Sequence, residues 1–165
     1  MFDAIRNRIS PYVEDIALAI EHIGSTSVPG LCAKPVIDID IVVTASDRDA
    51  AIARLATAGY RHVGDLGVAE RDAFAHAFEP PHNLYVCLSA SVSLRNHLVL
   101  RQALRADAAL AQTYGSLKRV LAERHPNDVD AYVAGKSELI LAILRSSKEF
   151  AEGELDEIQR ANDLG

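Results

Sequence analysis

Residues 35–44, PVIDIDIVVT, constrain the fold of this chain more than any other stretch. Valine and isoleucine dominate it, Pro35 and Ser46 bound it, and its length suits a buried strand. Side chains alternate along a strand, so Ile37, Ile39 and Ile41 go to one face. Asp38 and Asp40 go to the other, about 7 Å apart. Two carboxylates on one face of an apolar strand are costly unless something neutralises them. Their repulsion calls for a proton or a cation. Hard divalent ions with oxygen ligands serve best; Mg²⁺ (or Mn²⁺ in its place) takes one or two carboxylates together with substrate phosphates.

The turn-rich run Gly24-Ser25-Thr26-Ser27 precedes that strand. A glycine lets the backbone approach a ligand, and serine or threonine hydroxyls donate to phosphate oxygens. Turn and aspartates together provide what in-line phosphoryl transfer requires, namely positioning and charge neutralisation. Alone, a D-I-D is as readily a strand edge facing water and a G-S only a bend; their order and spacing give the pair its meaning.

The remaining pattern predicts an α/β (α+β) chain, a mixed sheet followed by helices. Helical spacing runs from Phe2 to about Glu14, with a break at Ser10-Pro11. The second half of Ile16–Ile23 reads as a strand. Ser46 and Asp49 fit a capping box for a helix over Asp47–Ala58, stopped by Gly59. Short strands follow at Arg61–Gly67, Ala73–Phe78 and Asn83–Ser89. Beyond Ser91, Ala, Leu and Arg at period 3.6 predict helices at Leu94–Arg105, Ala108–Glu123 and Asp128–Phe150, then a polar tail from Glu152 that frays. Residues 1–91 thus form the sheet core and 92–165 a helical part packed on it as one unit.

Composition narrows the partners. A net charge of −6 argues against non-specific attraction to nucleic acid. Yet Arg95–Arg124 holds six bases against two acids, so a local basic face exists. No apolar run spans a bilayer and the first residues lack an export signal. Cys32 and Cys87 stand apart as two reduced thiols, which points to the cytoplasm. The scattered histidines have no zinc spacing. Oligomeric state is not encoded legibly.

Gly-Ser, twelve residues, then Asp-hydrophobic-Asp-hydrophobic resembles the signature of the polymerase-beta-like nucleotidyltransferases. More closely, Ile20–Asp40 (IEHIGSTSVPGLCAKPVIDID) resembles the opening motif of the GrpB family, a branch of that superfamily. The likeness continues through Leu84-Tyr85-Val86-Cys87, Leu100-Arg101, Tyr114-x-x-x-Lys118 and Tyr132-x-x-x-Lys136. It implies a mixed sheet flanked by helices, with the site at the sheet's open edge. It also implies nucleotidyl transfer from a nucleoside triphosphate to a small-molecule acceptor. Gly24, Ser25 and Thr26 would hold phosphates, Asp38 and Asp40 would hold metal, Lys34 would reach a phosphate or pair with Glu21, and Lys118 and Lys136 would neutralise the triphosphate. Each Tyr/Lys pair, four residues apart, shares a helix face. His22, Arg101, Tyr114 and Tyr132 are supporting positions, and Arg101 with Arg95 and Arg105 favours an acidic or phosphorylated acceptor.

The superfamily usually adds a third carboxylate on a neighbouring strand. The candidate strand, HNLYVCL at 82–88, has none. Glu79, Glu70 and Asp72 lie nearby in sequence, and His82 is a substitute base or a solvated loop residue. A catalytically inactive nucleotide-binding or regulatory module is therefore the alternative. A P-loop kinase is opposed by the absence of G-x-x-x-x-G-K-[ST], and a ligand-free acidic scaffold leaves the aspartate pair unexplained.

Overall fold

The computed structural model describes residues 1–163. They form two compact units: residues 1–27 with 33–95, and residues 28–32 with the chain from Asn96 onward.

The first unit is built on a five-stranded sheet. Its strands are β1 (Ala19–Ile23), β2 (Ile37–Val43), β3 (Arg61–Gly64), β4 (Arg71–Ala75) and β5 (His82–Leu88), in spatial order β1-β2-β5-β4-β3. Only the β2–β5 pairing is parallel, so the sheet is mixed as expected. Helices α1 (Phe2–Val13) and α2 (Arg48–Thr57) supply Ile5, Ile9, Val13, Ala51 and Leu55 to a core with Ile37, Ile39, Ile41 and Val43. The isoleucines of β2 thus fill one face, and the alternation leaves Asp38 and Asp40 on the other.

The second unit is helical. It contains most of α3 (Val92–Ala106), with α4 (Ala108–Arg124), α5 (Val129–Ser147) and α6 (Glu152–Asp163). Asp107 and Asp128 cap α4 and α5, accepting from the backbone N–H of Leu110 and Ala131 at 2.9 Å each. Where α4 meets α5, a β-carbon at Gly135 would lie 2.4 Å from a Leu121 methyl, so the closeness of that packing depends on glycine.

Several local expectations are corrected. Pro11 lies inside α1 rather than breaking it; near the helix end it removes one backbone bond, and it is exposed. Asp47, not Ser46, is the N-cap of α2, and its side chain makes no capping bond; it accepts instead from the Thr44 hydroxyl. The third and fourth strands are shorter or shifted, at Arg61–Gly64 and Arg71–Ala75. Helix α5 stops at Ser147 because Lys148 turns left-handed, at φ 60°. The tail is helical, with Leu155 and Ile158 buried. Only three apolar side chains in twelve residues, Leu155, Ile158 and Ala161, hid that helix behind its acids.

Candidate functional site

Register fixes the site. On β1, Glu21 pairs with Asp40 and Ile23 with Asp38; on β5, Asn83 pairs with Asp38 and Tyr85 with Asp40. Paired residues project to the same face. The face thus carries Glu21, Asp38, Asp40, Asn83, Tyr85 and, next along β5, Cys87. Arg71, paired with Cys87 across β4, joins them. Asp40 is wholly buried. Asp38 Oδ1 accepts from the Asn83 amide at 2.7 Å.

Gly24 brings the turn onto this face. Its φ is +68°, and a β-carbon there would lie 2.1 Å from Asp38 Oδ2. Only glycine fits between backbone and carboxylate. Residues Ser25–Ser27 then form one 3-10 turn. Two local bonds set its shape: the Ser27 hydroxyl donates to the Gly24 carbonyl at 2.6 Å, and His22 Nε2 lies 2.9 Å from the Thr26 hydroxyl. His22 leaves β1 on the other face by register, where it stacks on Phe2 at 4.8 Å. It orients the turn from outside the acidic face.

Burial, and after it the charge on the face, acts on two neighbours of the aspartates. Burial pushes the Cys87 thiol well up, and the negative charge of Asp40 pushes the same way, so it stays a thiol. Burial likewise raises Tyr85; Arg71 opposes this, while Asp38 and Asp40 reinforce it. Arg71 stands 4.6 Å from the Tyr85 ring centre.

Other predicted residues lie elsewhere. Lys34 is exposed just ahead of β2, and Glu79 is exposed, offering its carbonyl to Arg8 at 3.0 Å. His82 faces away from the aspartates and is buried, so it is not a solvated loop residue. Its Nδ1 meets the Pro80 carbonyl at 2.7 Å, which assigns the proton to Nδ1 and leaves Nε2 to accept from the Tyr60 hydroxyl at 3.0 Å. Burial pushes its pKa down and keeps the ring neutral. In the second unit, Lys118 Nζ donates to the Cys32 carbonyl at 3.1 Å and lies 5.9 Å from the Tyr114 ring. Lys136 lies 4.5 Å over Tyr132, so both Tyr/Lys pairs share a face. Arg101 borders a cavity of about 400 Å³ with Leu98 and Glu149.

Sequence reasoning did not place Glu21, Tyr85 or Arg71 at the site. All three enter through strand pairing; the usable signal was the alternation of β1, which puts Glu21 two residues from Ile23 on one face. Among the described residues, no three His, Cys, Asp or Glu side chains gather as a metal-binding group, and no helix is long and apolar enough to cross a membrane.

Fold and site define an α/β protein whose acidic pair is built into the sheet itself. The chain belongs to the GrpB family: the family profile described as GrpB protein matches residues 1–146. It is 37% identical over 150 residues to a UPF0157 protein of Halalkalibacterium halodurans, covering 88% of this chain and 75% of that one. It is 31% identical over 154 residues to the UPF0157 protein YqkA of Bacillus subtilis, 92% of this chain but 45% of that one. The chain therefore spans under half of that longer relative. The crystal structure of GrpB from Enterococcus faecalis matches with TM-score 0.75 at 30% identity, over 90% of this chain and 93% of that one.

Proposed function

We propose that this chain is a metal-dependent nucleotidyltransferase acting on a nucleoside triphosphate and a small, acidic or phosphorylated acceptor. The observation that carries the reading is the seating of the Gly24 turn directly on Asp38, with Asp40 on the same face. The donor set suits the metal. Asp38 and Asp40 supply two carboxylates, and Mg²⁺ commonly completes its shell with water and substrate phosphates, so a third protein ligand is not required. When bound, Mg²⁺ or Mn²⁺ would neutralise triphosphate charge and polarise the phosphoryl group.

The chain's own residues would divide the work. The Gly24–Thr26 turn would hold phosphate oxygens through backbone N–H groups and the Ser25 hydroxyl. The acceptor oxygen would bond to the α-phosphorus as the bond to the bridging oxygen breaks and pyrophosphate leaves. Glu21, abreast of Asp40 in register, is the carboxylate placed to take the acceptor's proton.

The second reading is a nucleotide-binding module without turnover. It is favoured by Asn83 and Tyr85, which stand beside the aspartates on β5 where an acid would complete the superfamily pattern. Titrating ATP, GTP, CTP and UTP with Mn²⁺ separates the two. Both readings expect binding that the double variant Asp38→Asn/Asp40→Asn abolishes; only the enzyme releases pyrophosphate when acceptor is supplied. Wild-type protein that binds no triphosphate would end both.

A further inference from the structure

The segment 28–32, VPGLC, follows the phosphate turn in sequence, yet the proposed chemistry does not use it. It belongs with the helices of the second unit and walls a cavity of about 590 Å³ there, with α3 and α4. That volume is in the range of small-molecule sites.

The cavity is preformed. Gly115 lacks the β-carbon that would meet Leu31 at 3.1 Å, so the segment packs directly on α4. The Cys32 thiol donates to the Gly115 carbonyl at 3.4 Å, and Lys118 holds the Cys32 carbonyl at 3.1 Å. A wall pinned by packing and two hydrogen bonds loses little entropy on binding. Its chemistry is divided. Leu31, Leu104 and Ala111 present apolar surface, while Arg105, Gln112 and Arg119 present donors. Among the described residues that line it, none is acidic, although the whole chain carries a net charge of −6.

We infer that this cavity binds a small organic anion with an apolar body and a carboxylate or phosphate head. The head lies against Arg105 and Arg119, where bidentate pairing suits both groups. The body lies against Leu31, Leu104 and Ala111. The cavity is built wholly within the second unit and uses neither Asp38 nor Asp40; it shares Arg105 with the basic set expected to favour an acidic acceptor, so anion binding here and triphosphate binding at the aspartates are read separately.

The test uses the full chain and the fluorescent anion 8-anilinonaphthalene-1-sulfonate, displaced by octanoate, octyl phosphate, octanol or inorganic phosphate. Octanoate or octyl phosphate should displace the probe, and the better of the two identifies the head group. Octanol and inorganic phosphate should displace it poorly. Arg105→Gln with Arg119→Gln should weaken probe binding by about tenfold or more, whereas Arg124→Gln should not. Ala111→Trp should block it. Because that variant could perturb folding, the amide resonances of Gly30 and Gly115 in the wild type give a second readout, and both should shift with the displacing anion. Undiminished binding in the double arginine variant, displacement by octanol as good as by octanoate, or unmoved glycine resonances would overturn the inference.

Discussion

Asp72 and Asp40 are both buried, at 1% and 0% exposure, and they leave the same sheet on opposite faces. Asp72 is matched from within: Arg48 donates to both of its oxygens at 2.7 and 2.9 Å, and His62 Nε2 lies 2.9 Å away. Burial alone would raise its pKa; the hydrogen bonds from Arg48 and His62 outweigh that and hold it low. Asp40 instead has Glu21 and Tyr85 as register partners and Asp38 two residues before it. Burial of an acid is therefore not what marks a functional site. A buried acid held by an arginine and a histidine is architecture, whereas one that shares its sheet face with a second carboxylate beside a glycine turn is a candidate for ligand binding.

Exchanging each acid for its amide should separate the two cases. Asp40→Asn should cost about a hundredfold in Mn²⁺-triphosphate affinity, roughly 2.7 kcal/mol, by calorimetry. Its effect on urea stability should be smaller than that of Asp72→Asn, since Asp40 shares its face with a second carboxylate, Asp38. A loss of stability like that of Asp72 would erase the distinction. Asp72→Asn should do the reverse, costing about 3 kcal/mol in urea denaturation by breaking a buried pair, with nucleotide affinity unchanged. Gly24→Ala should sharpen the site's definition. The added methyl meets Asp38 and strains a left-handed residue, costing about 2 kcal/mol of stability and weakening triphosphate binding as well. Affinity that survives this change would detach the turn from the aspartates.

The smallest effect is one of pH. His82 has a lowered pKa when folded, so its contribution is complete above about pH 6.5 and is lost as the pH falls through the folded value. Asp72, also lowered, contributes fully above about pH 4 and is lost below. Chemical denaturation across pH should show two successive declines, and His82→Asn should flatten the first alone.

How much of this the sequence disclosed follows from which forces are local. β2 was legible because its length, β-branching and alternation all agree, and the turn before it was legible from Gly24 and Ser25. Glu21 was not, because a side chain's neighbours across a strand depend on register, which no single strand encodes. His82 read as a loop residue because Pro80-Pro81 precede it; the structure starts β5 at His82 and buries it against Tyr60. Helix α6 was missed because its charge density resembles a solvated tail, while Leu155 and Ile158 are enough to bury one side.

The membership of residues 28–32 has a practical consequence for anyone dissecting this protein. Cutting after Arg95 would not yield a clean sheet module: the excised piece would carry five residues whose packing partners, Gly115 and Lys118, had been discarded. The complementary helical fragment would lack one wall of its own cavity. Neither half can be grafted or shuffled as an independent cassette without also redesigning the excursion between Ser27 and Ala33.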